Sequence, residues 1–279
     1  MLTVRQSVSA AAAAAILATG ACQSRERDQA GNAANAAAQQ TVPKLPIPVP
    51  QPPMSREQLL VATLRAASAF TAGTGDGDLQ KSLANKAYEF RVRFGCDGPG
   101  KAGTEEPFGW TYDPKTRALK VRATPALSLK DPAVKAVAGE AFETVEGFWL
   151  RRPWLLTAAC PREDEGGAAD AIAKTESPAQ SPAQLVGIAQ FFTAAGPRTM
   201  RRSGRPYDAT KKLDTDQPPA GGFDLVLTGR LAALPDGRVI ACTRSPTDEQ
   251  PACLISVEFG KVSIERADTH EQLAQWGSG

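Results

Sequence analysis

Between residues 88 and 96 the chain falls into a period of two: Tyr88, Phe90, Val92, Phe94 and Cys96 alternate with Glu89, Arg91, Arg93 and Gly95. Apolar residues at every second position describe a strand with one buried and one solvated face, and a helix cannot present that pattern to a core. The chain is therefore committed to a sheet whose apolar face must be covered by a second layer. Phe108, Trp110 and Tyr112 repeat the alternation, Asp113-Pro114-Lys115-Thr116 has the chemistry of a tight turn, and Leu119, Val121 and Ala123 return. Further strands are expected near 142–150, 185–193, 223–231, 238–243, 253–259 and 261–266, with Pro235-Asp236-Gly237 turning the chain between two of them. No regular βαβ alternation interrupts them. The expected fold is mainly β, an antiparallel sandwich or barrel-like domain with one N-terminal helix.

That helix opens at Ser55, whose hydroxyl and Gln58 form a capping-box pair. Leu60, Leu64, Ala67 and Phe70, with Leu59 beside them, recur at helical spacing, and Gly73 is a natural stop. The stretch 161–183 is polar, small and punctuated by proline, and reads as a long surface loop or a subdomain boundary.

The N-terminal segment bears on location. Arg5 precedes an alanine-rich apolar run from Val8 to Ala18, too short for the roughly 20 residues a bilayer span needs and of the length of a signal-peptide core. Residues 1–21 are read as a signal peptide. The segment ends Leu17-Ala18-Thr19-Gly20-Ala21-Cys22. It resembles the lipobox of bacterial lipoproteins, in which the cysteine is acylated and becomes the mature N-terminus. The resemblance implies lipidation at Cys22 and, because Gln23 rather than Asp follows, a place at the periplasmic face of the outer membrane. Thr19 and Ala21 also fit ordinary signal cleavage after Ala21, which would leave a soluble periplasmic or secreted protein.

Setting Cys22 aside leaves Cys96, Cys160, Cys242 and Cys253, an even set that suits an oxidising compartment. Cys242 and Cys253 flank a short loop within one expected hairpin and are paired on that ground. Cys96 then pairs with Cys160 by elimination, one of three possible connectivities. Residues 22–54 read as a lipid-anchored flexible linker, with six prolines in the eleven residues from Pro43 to Pro53. Residues 55–279 form the disulfide-bonded β domain.

With 32 basic and 30 acidic side chains, bulk charge gives no reason to expect nucleic-acid binding. One histidine, His270, rules out a His-rich metal site, and its polar surroundings read as a surface turn. Gly95 to Lys101 fits most of a phosphate-binding loop, but Ala102 stands where a Ser or Thr would hold magnesium and Pro99 lacks a needed N–H. It reads as a loop beside a disulfide. No serine elbow is present. Asp76 with Asp78, and Asp214 with Asp216, are carboxylate pairs in loop-forming contexts.

Two stretches are candidate binding surfaces. Trp149, Arg152 and Trp154 surround Pro153, as a hot spot or a sugar-stacking platform would, or as core tryptophans covered by arginine stems. Residues 198–212 hold Arg198, Arg201, Arg202, Arg205, Lys211 and Lys212 against Asp208 alone, and suit an anionic lipid or a solvated hairpin. The expected function is a non-enzymatic cell-envelope module that binds or scaffolds an envelope protein or anionic lipid, with no cofactor or metal. The alternative is a carboxylate-dependent cell-wall or glycan hydrolase.

Overall fold

The computed structural model describes residues 51–100, 106–160, 185–244 and 250–277. The signal segment, Cys22, most of the linker and the stretch 161–183 lie outside the described residues, as do Lys101 and Ala102. Helix α1 spans Arg56–Ala72 and α2 Gly77–Leu83, followed by β1 (Ala87–Phe94), β2 (Phe108–Asp113), β3 (Ala118–Ala123) and helix α3 (Pro132–Ala138). Then come β4 (Thr144–Trp149), β5 (Val186–Phe192), β6 (Tyr207–Lys212), β7 (Phe223–Leu231), β8 (Ile240–Thr243), β9 (Ala252–Arg266) and β10 (Gln272–Gly277). The mainly β expectation holds, in two sheets and not a closed barrel.

Strand β9 is the spine of a seven-stranded sheet ordered β1-β7-β9-β5-β4. Residues 253–255 pair with β5 along one edge and β8 along the other, while residues 261–265 pair with β7 and β10. The sheet is mixed because β5 runs parallel to β9. Residues 252–257 are buried on both faces, so ACLISV is a continuous apolar run rather than an alternation. The two strands expected at 253–259 and 261–266 are one strand. Thr228 pairs with Lys261 but Gly229 pairs with Phe259, so Gly260 is an extra residue. That bulge moves the inward set from Cys253, Ile255, Val257 and Phe259 to Val262 and Ile264, and the change of phase imitates a strand end. Gly229 faces it, and a Cβ there would lie 1.9 Å from the Glu258 carbonyl oxygen.

The inner face of this sheet carries Tyr88, Phe90, Val92, Phe94, Phe223, Leu225 and Leu227 into the main core. The antiparallel sheet β2-β3-β6 covers part of it. Trp110 meets Phe223 edge-on at 5.4 Å, and Phe94 lies 5.5 Å from Phe108. Helix α1 covers another part, starting from the expected capping box and ending at Gly73 in the left-handed region. Its buried residues are Arg56, Leu59, Leu60, Ala62, Thr63, Ala66 and Ala67. Leu64, expected inward, is 50% exposed, and Phe70 is exposed too. The small alanines turn toward the sheet and carry the larger pair round to solvent.

Two short helices add to the expected one. α3 begins with Asp131 accepting from the Ala133 N–H at 2.9 Å and Pro132 at its first position, and covers a second core of Leu127, Val134, Val145, Ala189 and Leu254. In α2 the buried Gln80 accepts from the N–H groups of Val239 (2.7 Å) and Ile240 (2.9 Å), closing the start of β8. Both disulfides are formed as expected, Cys96 with Cys160 and Cys242 with Cys253. They indicate an oxidising, extracytoplasmic compartment. Among the described residues no helix is long and apolar enough to cross a membrane.

Candidate functional site

The alternation of β1 places Glu89, Arg91 and Arg93 on the outer face of the large sheet, and register decides what they meet. Arg93 stands opposite Asp224 on β7, and Asp224 opposite Glu265 on β9. Two carboxylates side by side in one row would repel. Here Arg93 grips Asp224 with two bonds, Nε–Oδ1 at 2.6 Å and Nη2–Oδ2 at 3.1 Å. Arg91 reaches Glu265 at 2.9 Å and Glu89 at 2.9 Å. Asp224 is left only 1% exposed beneath this ladder. Burial lowers the Arg91 guanidinium, but its bonds to Glu265 and Glu89 outweigh that and hold it above its ordinary value.

Arg56, in the first turn of α1, joins three separate pieces of chain. Its guanidinium donates to the carbonyls of Leu155 (3.0 Å), Arg91 (3.1 Å) and Arg152 (3.0 Å), and lies 5.0 Å from the Phe90 ring centre. Burial lowers its pKa to about 10, with the charge of Asp224 acting in the other direction. The bond to Arg91 also blocks the free edge of β1, which among the described residues is otherwise paired at the bridge between Met54 and Tyr88. Beyond Arg56 the disulfide from Cys96 ties down Cys160. The segment 151–160 is thus fixed beside β1 at both ends.

Between these parts lies an open groove of about 560 Å³. Arg91, Arg93 and Asp224 line it together with Pro52 and Pro53, where the linker enters the domain, residues Leu156 to Ala158, and His270 from the turn before β10. A recess of about 30 Å³ between β1 and the 151–160 segment is lined by Arg56, Arg93, Arg151, Arg152 and Asp97.

The residues singled out in the sequence are dispersed. Trp149 is half-buried against the core beneath α3, Arg152 lines the recess, and Trp154 is 58% exposed. Arg198 and Arg201 both pair with Glu143. Arg202 lies over the rings of Tyr207 (4.4 Å) and Trp276 (5.8 Å), Arg205 donates to the Arg202 carbonyl at 3.0 Å, and Lys211 pairs with Glu271. Sequence reasoning missed the residue that organises this turn. Glu146, on β4, is buried and accepts from the backbone N–H groups of Arg202, Ser203 and Gly204 through one oxygen. Its other oxygen and the Tyr88 hydroxyl are the buried side-chain atoms without a partner among the described residues.

The carboxylate pairs sit apart from the groove. Asp76 precedes α2 and accepts from Gln80 at 2.6 Å, Asp78 is exposed, and Asp214 and Asp216 are exposed after β6, with Asp216 3.9 Å from Arg117. Among the described residues no three His, Cys, Asp or Glu side chains are grouped as a metal site would require. No family model, no curated protein and no solved structure matches this chain.

Proposed function

We propose that this protein is a cell-envelope lipoprotein whose β domain is a non-enzymatic binding or scaffold module, held at the periplasmic face of the outer membrane by an acylated Cys22 and the linker that follows. The observation that carries the reading is the groove beside β1. Of the carboxylates that line it, Asp224 is gripped through both oxygens by Arg93 and Glu89 is held by Arg91, while Glu57 is exposed at the start of α1. With both oxygens bonded to a guanidinium and the side chain buried, Asp224 is poorly placed to turn toward a substrate, whereas a fixed floor between braced walls suits recognition of a partner. The two disulfides add support through the compartment they indicate.

Three measurements test it. Palmitate labelling of the native chain is expected to give a signal that Cys22→Ser abolishes; an unacylated mature N-terminus would overturn the anchor. A photo-reactive residue at Thr157, on the groove wall, is expected to give a discrete adduct in cells that one at Lys130 does not. Release of fragments from purified cell wall by the native chain, lost with Asp214→Asn or Asp76→Asn, would overturn the non-enzymatic reading.

A further inference from the structure

We propose that residues 151–156 are a membrane-interface contact through which the anchored domain rests on an anionic bilayer; this builds on the lipid-anchor reading above. The sequence Arg-Arg-Pro-Trp-Leu-Leu carries two cations, and no acid follows it as far as Cys160. Trp154 is 58% exposed and Leu156 37%, while Trp110 is buried and Trp149 and Trp276 are half-buried. Arg151 is exposed beside them. An exposed Trp and Leu next to arginines match what the headgroup region of a bilayer takes up: an amphipathic ring at the water boundary, an aliphatic side chain below it, and guanidinium groups among phosphates.

Three further observations point the same way. The segment is braced, by Arg56 on the carbonyls of Arg152 and Leu155 and by the disulfide at Cys160, so ordering it on a surface costs little further entropy. The recess behind it is basic, with Arg56, Arg93, Arg151 and Arg152 against Asp97, although Arg93 is held by Asp224. The linker also enters the domain here, since Pro52 and Pro53 line the same groove as Leu156. Under the lipid-anchor reading, acylation at Cys22 tethers the domain to the bilayer, so even a weak contact of this patch is favoured by proximity.

The test uses the Cys22→Ser chain, which carries no acyl group, with vesicles of phosphatidylethanolamine and phosphatidylglycerol and with phosphatidylcholine vesicles as control. The chain is expected to sediment with the anionic vesicles only, with a blue-shifted tryptophan emission that brominated lipid quenches. Trp154→Ser with Leu156→Ser should weaken partitioning about tenfold, and Arg151→Glu should weaken it at low salt, with thermal melting unchanged. Partitioning that is absent, or indifferent to these substitutions, overturns the proposal. So does loss of a cross-linked protein partner in the Trp154 variant without any vesicle binding, which would make the patch a protein contact. Palmitate labelling of the native chain reports the anchor separately, so failure of one reading is not confused with failure of the other.

Discussion

Asp224 and Glu146 are both buried carboxylates, and they are held by different chemistry: Asp224 by a guanidinium fork, Glu146 by three backbone N–H groups on one oxygen while its other oxygen has no partner among the described residues. Removing one partner of a buried ion pair strands the other, whereas replacing both by apolar residues does not. Arg93→Met is therefore expected to cost about 3–5 kcal/mol, and the double variant Arg93→Met, Asp224→Leu much less, as read from urea denaturation of the two proteins. A double variant as unstable as the single would show that the pair is not the source of the loss. Arg93 was legible in the sequence as a solvent-facing member of an alternating strand. Asp224 was not, because Phe-Asp-Leu-Val-Leu reads as an apolar run and only the register of β7 puts its carboxylate opposite Arg93. Glu146 was hidden for the same reason, since its partners lie 56 to 58 residues away on a turn that the sequence shows only as basic.

At the scale of elements, local chemistry was read well and long-range pairing was not. The capping box, the Gly73 stop and the Pro235-Asp236-Gly237 turn depend on neighbours within a few residues, and each is found in its expected place. The face of α1, the bulge at Gly260 and the parallel placement of β5 depend on what packs across the sheet, which no window of sequence contains. Strands β6 and β10 were also missed, the first within a basic stretch and the second in a mostly polar segment with no clear alternation. The disulfides join elements over very different spans, 64 residues for Cys96–Cys160 and 11 for Cys242–Cys253. Loop-closure entropy then makes the first worth about 4 kcal/mol and the second about 3. Serine replacements made as pairs are expected to rank in that order by denaturation midpoint. The reverse order would mean that the short bridge acts through the folded state of β8 and β9.

For the whole molecule, the core contains phenols that must stay neutral. Burial raises Tyr88 well above the ordinary value near 10, and raises Tyr207 to about 12 despite the charge of Arg202. A phenol whose pKa is raised by folding adds stability that is complete below pH 10 and is lost as the pH climbs toward its folded value. Arg56, lowered by burial, acts in the opposite sense above about pH 10 and offsets part of the loss. The unfolding free energy is therefore expected to fall between pH 10 and 12, by on the order of 2 kcal/mol for Tyr207 alone, and to be read as a falling denaturation midpoint. Tyr207→Phe should flatten that fall, and an unchanged slope would exclude this tyrosine as its cause. The position of β9 in the chain has a consequence of its own. Every strand except β10 is synthesised before it, yet β5, β7 and β8 all take their central neighbour from it. A chain threaded N-terminus first emerges with its sheet still open down the middle, and the β1–β7 and β4–β5 pairs can be joined only once β9 has followed. A premature stop between residues 231 and 252 leaves β5 and β7 each with an unpaired inner edge, so such a product is expected to be cut by a protease that spares the full chain.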